Sequence, residues 1–375
     1  MVPELGRVEQ ASHLIPLDLP AQFVFYDITR PQMRVGVTSD DTGKILRCNR
    51  HRLRDWLLQG IDVKFGKRLL RVEEAGDKVT AHFEDGTSAT GDILIGAEGT
   101  RSVVRNHILK GHDVMKPLPL GSLVGEVQLS GEAFAHELSL AHSGHIIMDS
   151  TLASQDQCAV FAALNKVSDD GKSGYYYFIL LWVDDNAPNT TDENPVWTVG
   201  ASQEQLAAFA REKTRSYPAH LRQLIDSVPV EGYKSPGFQL QSVKLTADQL
   251  PAGRVMVIGD AAHSMTPCKF PRSIFPLSSK QYADSQEVRG EAGVCAFTDG
   301  LKLGRTLAQV QETGAKGPEF EKLIAEFRDD MIKRGAWAIE VSNPVLEDYG
   351  KHANYKFGTF GKEAVPMSPA EPITV

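Results

Sequence analysis

The sequence predicts an α/β protein in which a domain built on parallel strands is interrupted by an α+β domain based on an antiparallel sheet. Three observations predict it. Residues 255–258 form a short unbroken apolar run entering Gly259-Asp260, and residues 93–95 form a second such run entering a glycine turn. Runs of this length without alternation suit strands buried on both faces. Between them, over about residues 109–250, the texture changes to alternating strands of the kind that pack as an antiparallel sheet under helices.

Taken in order, FVFYD at 23–27 and MRVGV at 33–37 read as short strands of the first domain. RHRLRDWLL follows as a helix, with Leu53, Trp56 and Leu57 on one face and Gly60 suited to its C-terminal end. KRLLRVEE and KVTAHFEDG form a hairpin around Gly76 and Asp77, feeding the strand before Gly96. The second domain contributes the strands LVGEVQL, HIIMDS, QCAVFAAL and GYYYFILLW, then helices near 202–215 and 219–228. After the strand at 255–258, the last helices run over about 290–311 and 318–341. In the latter, Phe320, Leu323, Ile324, Phe327, Met331 and Ile332 recur at helical spacing and read as core. The expected division is 1–108, 109–250 and 251–345, with a proline-rich tail over 346–375 that is partly disordered.

Composition fits a large globular chain: 375 residues, 42% apolar and 23% charged. Such a length buries a sizeable core and allows two domains. A net charge of −8 and a pI near 5.8 argue against a nucleic-acid partner, which calls for a basic face. The longest apolar run, residues 175–183, is too short to span a bilayer, and no signal peptide is evident, so a cytoplasmic location is expected. Cys48, Cys158, Cys268 and Cys295 show no C-x-x-C spacing and no histidine cluster, which points to neither a metal site nor a disulfide framework.

The segment RVMVIGDAAHSMTP, Arg254 to Pro267, carries the clearest chemistry. Gly259 lets the backbone approach a ligand closely, Asp260 offers a carboxylate to ribitol or ribose hydroxyls, and Ala261 and Ala262 leave room. On five residues alone, the same pattern also reads as an ordinary strand-to-helix turn with Asp260 as its cap.

Together with DILIGAEGTRSVVR at 92–105 and the arginine of RHRLRDWLL, this segment resembles the signatures of the FAD-dependent aromatic hydroxylases. These are the para-hydroxybenzoate hydroxylase-like, single-component flavoprotein monooxygenases. The resemblance runs from about Phe23 to Asn343 and implies a Rossmann-like FAD-binding domain holding an inserted substrate domain. It further implies FAD contacts at Arg50 and Asp260, and at Gly290 and Gly293 in a helix start whose N–H groups face the flavin. It also implies NAD(P)H, usually NADPH, as electron donor, and delivery of one oxygen atom from dioxygen to an electron-rich ring or alkene.

Four departures accompany the resemblance. Glu98 stands where the family carries Asp. Ala292, Val294 and Cys295 occupy positions where glycine and asparagine are common. No G-x-G-x-x-G loop occurs, and MVPELGR looks like the middle of the helical region beyond it, so the expected FAD domain is incomplete, lacking its first β-α-β unit. Residues 269–288 interrupt a junction that would otherwise fit the family, and read as translated intron sequence or as a natural surface insertion.

The residues name no catalytic acid or base. Alternate members of Tyr175, Tyr176, Tyr177 and Trp182 either face a ring-shaped substrate or pack in the core. His263 reads as a structural part of its turn, and His142 and His145 as a pair without a third ligand. The resulting expectation is an FAD-dependent monooxygenase that hydroxylates or epoxidises an aromatic or polyketide-like small molecule in secondary metabolism. The alternative is a non-catalytic truncated flavoprotein or small-molecule-binding protein that no longer holds FAD. The absence of W-x-W-x-I-P weakens a halogenase reading.

Overall fold

The computed structural model describes residues 21–29, 31, 34–38, 48–112, 114–141, 143–148, 158–191, 194–237, 239–265, 291–342, 358–359, 362–363 and 365–367. The expectations for MVPELGR, Gly290, His142, Cys268 and the segment 269–288 lie outside these residues.

The chain opens with β1 (Gln22–Asp27), β2 (Arg34–Thr38) and α1 (Arg50–Leu57). Next come β3 (Leu69–Ala75), β4 (Lys78–Phe83), β5 (Ser88–Gly91), β6 (Leu94–Gly96) and α2 (Val103–Ile108). The middle of the chain forms β7 (Lys116–Pro117), β8 (Leu120–Ser130), α3 (Gly131–Ala141), β9 (Gly144–Met148), β10 (Cys158–Val167) and β11 (Ser173–Val183). It continues through α4 (Gln203–Lys213), α5 (Ala219–Ser227), β12 (Tyr233–Lys234) and β13 (Gln241–Ser242). The last elements are β14 (Val255–Val257), α6 (Asp260–His263), α7 (Glu291–Thr313), α8 (Pro318–Ser342), the short pair β15 (Gly358–Thr359) and β16 (Lys362–Glu363), and β17 (Val365–Met367).

Eight strands form the main sheet, in the order β12-β8-β11-β10-β9-β1-β2-β17. Its spine is the antiparallel pair β8–β11, in register from Leu120↔Val183 to Ser130↔Ser173. Alternation decides the faces. Tyr176, Phe178, Leu180 and Trp182 pack into one core with Leu138 of α3, Leu206 of α4 and Leu221 of α5. Gly121 and Gly125 leave room for the rings: a Cβ on either would lie 2.1 Å from Trp182 or 2.3 Å from Phe178.

This sheet corrects one expectation. The strands at 23–27 and 33–37 do not join the parallel strands of the first domain. Instead β1 runs parallel to β9 and antiparallel to β2 inside the main sheet. In that sheet Val24 and Tyr26 enter the helix-side core while Phe23 and Phe25 supply rings to the other face. The helix α3 went unread because Glu137 sits in the middle of its apolar face and interrupts the period, yet Glu137 is fully buried with Phe134, Leu138 and Leu140. In the tail, Val365–Met367 forms an edge strand on β2, a position where Pro366 loses no central ladder bond.

The expected hairpin is present as β3–β4, with Gly76 at φ +58° in its turn. Beside it, β14 and β6 form a two-stranded parallel ladder, Val255↔Leu94 to Val257↔Gly96. Under this ladder lies a second core, in which Val255, Met256 and Val257 meet Phe320, Ile324, Phe327 and Met331 of α8.

Candidate functional site

The parallel register of β6 and β14 places two glycine turns side by side, since both strands end at the same level. The Ile258 N–H donates to the Gly96 carbonyl at 3.0 Å. Beyond it Gly259 adopts φ +60° and ψ −143°, a region that side-chain-bearing residues avoid. A Cβ there would lie 3.3 Å from Ala296 Cβ. The chain then starts α6, with Asp260 exposed at its first position and Ala261, Ala262 and His263 buried behind it.

The neighbouring turn is held by its own acid. Glu98 Oε1 accepts the Val104 N–H at 2.9 Å and Oε2 accepts the Ser102 hydroxyl at 2.8 Å, while Ser102 Oγ accepts the Arg105 N–H. The extra methylene relative to aspartate lets this carboxylate fold back onto the start of α2.

Two buried ion groups, neither singled out by sequence reading, lock the turns together. Arg105 donates from Nη1 to the Ala261 carbonyl at 3.0 Å and from Nη2 to the Thr100 carbonyl at 2.5 Å. Asp299 of α7, with no exposed surface, accepts from the Gly259 N–H at 2.9 Å, from His263 Nε2 at 2.7 Å and from Arg334 Nη1 of α8 at 2.8 Å. Burial pushes the Asp299 carboxyl up, but the bonds from His263, the Gly259 N–H and Arg334 outweigh it and hold the group below its ordinary value. Arg334 also bonds Asp330, which in turn pairs with Lys302. Only the DGLKLGR pattern around Asp299 hinted at any of this, and it reads equally as a solvated helix face.

Arg50 opens α1, exposed to solvent. Asn49 caps that helix by accepting from the N–H groups of His51 and Arg52, and its Nδ2 donates to Asn165 Oδ1 of β10 at 2.9 Å. The apolar face expected of α1 is only loosely covered: none of its residues is buried. Gly293 lies exposed in the first turn of α7. The structure ties the Gly259 N–H beside Asp260 to α7 through Asp299, and among the described residues no hydrogen bond or ion pair joins Arg50, Asp260 and Gly293 to one another.

β10 also carries the ring row on the sheet face away from the helices. Phe23 and Phe161 stack with centroids 5.9 Å apart, Phe25 meets Phe23 edge-on at 5.1 Å, and Phe161 leads to Tyr177 at 5.9 Å. Thus the four aromatics of β11 divide: Tyr176 and Trp182 are core, whereas Tyr177 joins the ring row and Tyr175 is exposed. His145 is buried as well, and burial pushes its imidazole down to about 3, so it is held neutral. Among the described residues no group of three or more His, Cys, Asp or Glu forms a metal-binding cluster, and no helix is long and apolar enough to cross a membrane.

Residues 26–269 match the FAD binding domain family. An FAD-dependent monooxygenase of Trichoderma harzianum is 34% identical over 362 residues, covering 95% of this chain and 81% of that protein. The salicylate hydroxylase of Pseudomonas putida is 31% identical over 218 residues, 56% of this chain and 46% of that one. Among solved structures, the Klebsiella pneumoniae HpxO complex with FAD and uric acid superposes with a TM-score of 0.60 at 18% identity, over 92% of this chain and 79% of that one. At that identity it speaks for the fold alone. The chain thus belongs to the FAD-dependent, aromatic-hydroxylase-like flavoprotein monooxygenases.

Proposed function

We propose that this chain oxygenates an aromatic or polyketide-like small molecule, by hydroxylation or epoxidation, with FAD as cofactor, NAD(P)H as electron donor and dioxygen as oxidant. One observation carries the reading. The bond from Asn49 to Asn165 ties the helix headed by Arg50 to the strand that bears Phe161, which supports a flavin held by Arg50 beside an aromatic wall.

The pair of turns fits a flavin cofactor: Gly259 keeps a strand end bare at a place where a Cβ would crowd Ala296, and Asp260 stands exposed just beyond it. In this reading Asp260 accepts hydrogen bonds from the cofactor's ribitol or pyrophosphate side, Arg50 lies along the cofactor, and Gly293 opens the first turn of α7 towards it. When bound, FAD supplies the electron transfer and the oxygen activation. The chain's task is to orient the substrate ring against Phe23, Phe161 and Tyr177 and to keep water from the reacting face. The test is consumption of NADPH by the FAD-supplemented chain with a panel of phenolic and fused-ring compounds, with mass analysis for a product one oxygen atom heavier. Uptake that no aromatic compound stimulates, from a chain that demonstrably holds FAD, would overturn the reading.

A specific observation favours a second reading, in which the chain as it stands retains FAD poorly. Parallel sheets are buried on both faces, and β6 and β14 form a ladder of only two strands among the described residues. Beside this, Val294, Phe297 and Leu301 stand 52%, 51% and 65% exposed along one face of α7. Both features leave the ladder and the helix beside it thinly covered among the described residues. The visible spectrum of the purified chain decides: flavin bands at near-stoichiometric occupancy contradict this second reading.

A further inference from the structure

The network around Asp299 holds more charge than its role as a turn clamp requires. Its carboxylate is fully buried, and a buried carboxylate needs a cation or must give up its charge. Two candidates touch it, His263 through Nε2 and Arg334 through Nη1. A third titratable group, Asp330, meets Arg334 Nε at 2.8 Å and is itself shared with Lys302. The packing leaves little slack. A Cβ at Gly335, the residue after Arg334, would lie 2.8 Å from His263 Cβ, Cγ and Cδ2, so α8 approaches the imidazole at backbone distance. His263 Nδ1 and Arg334 Nη2 are both buried without a hydrogen-bond partner among the described residues, which leaves the imidazole's second nitrogen with no acceptor for a second proton.

We infer that Arg334 is a positioning residue for the cofactor-facing turn: it supplies the counter-charge to Asp299, so that His263 stays a neutral imidazole donating from Nε2 and Asp299 keeps a free lone pair for the Gly259 N–H. In this arrangement the turn's two anchors on Asp299 depend on a guanidinium that lies more than 70 positions beyond it in sequence. Without that cation, Asp299 either takes up a proton and loses acceptor capacity, or draws a second proton onto His263 and places a positive charge directly behind Asp260. Either outcome loosens or recharges the turn while leaving β14 itself paired to β6.

The inference rests on the reading that this turn serves FAD, and its test separates the two. Full-length wild type, Arg334→Met and Arg334→Lys are compared by 15N-labelled histidine spectra, by hydrogen exchange over 254–265 without added FAD, and by FAD titration. The expected result is a neutral Nε2–H signature at His263 in wild type, an imidazolium or exchanging signature in Arg334→Met, and recovery in Arg334→Lys. Exchange should speed up by about tenfold at 259–264 in Arg334→Met only, with the β14 amides unchanged. FAD affinity should fall by about tenfold in the same variant. If wild type takes up no FAD while the histidine and exchange signatures behave as stated, the FAD reading fails and the role of Arg334 stands. If Arg334→Met folds and leaves His263 neutral with 259–264 protected as in wild type, the inference is overturned. Loss of the β14 amides along with the turn would overturn it too, because the effect would then be global.

Discussion

The guanidinium of Arg105 donates to the Ala261 carbonyl at 3.0 Å across 156 positions of sequence, so one glycine turn holds the other through a buried arginine. The same group bonds the Thr100 carbonyl and contacts Met115 Sδ. Replacing Arg105 by Met keeps most of the apolar stem but leaves two buried carbonyls without donors, at a cost of roughly 1–3 kcal/mol each. We expect Arg105→Met to lower stability by about 3 kcal/mol in urea denaturation and to weaken FAD binding, whereas Arg101→Met, at an exposed neighbour, changes stability by less than about 0.5 kcal/mol.

Gly259 is the position where the backbone leaves no choice. Its φ of +60° with ψ −143° belongs to glycine, and occupying it with another residue costs on the order of 1–3 kcal/mol. Gly259→Ala also pushes its methyl towards Ala296. The expected outcome is a destabilised chain whose FAD affinity falls more than that of Gly253→Ala, where an added Cβ meets nothing within 4 Å. Equal affinities in the two variants would contradict the geometry.

Glu137 sets a pH dependence distant from the turns. Burial pushes its carboxyl up to about 8 from an ordinary 4.5, and neither oxygen finds a hydrogen-bond partner among the described residues. Between those values the folded state binds a proton that the unfolded state has released, so stability is full below about 4.5 and falls as pH rises to about 8. Asp299 acts in the opposite sense, its contribution being lost only as pH falls through the acid range below its ordinary 3.8. The windows do not overlap. Glu137→Gln should therefore remove the fall in melting temperature between about 6.5 and 8, while below about 6.5 it unmasks a rise with pH from His145, whose buried imidazole is pushed down to about 3.

The ring row offers a separate test of the substrate wall. Phe161 is half-buried between Phe23 and Tyr177. Phe161→Leu keeps an apolar side chain but removes the stacking partner, worth about 0.5–1.5 kcal/mol per ring pair. For an aromatic substrate the expected effect is a KM raised up to about tenfold with little change in kcat. A variant with unchanged KM and lowered kcat would place the substrate elsewhere.

Much of the fold was legible in the chain. The hairpin around Gly76, the strands β8 to β11 and the two long C-terminal helices all carry their period on the surface of the sequence, because each buries one face against a single neighbour. What was not legible depends on partners far away. The sheet membership of β1 follows from its parallel pairing with β9, which no local pattern encodes. The helix α3 hides behind Glu137, a buried acid that hydrophobic periodicity counts as surface. At the site, Gly259 and Asp260 announced themselves by type, whereas Arg105, Asp299 and Arg334 looked like ordinary charged helix positions and acquire meaning only once three helices converge.

The parallel pairing of β1 with β9 has a consequence for how the protein is made. The Gln22 N–H waits for Ser143, 121 residues later, to emerge before it finds its acceptor. At roughly 5–20 residues per second of synthesis, β1 and its aromatic side chains spend about 6–24 s at the ribosome with an open edge, long enough for a chaperone or a wrong strand to arrive first. A mutation that slows translation between these two strands should therefore lower the yield of soluble protein without altering a single contact in the finished molecule.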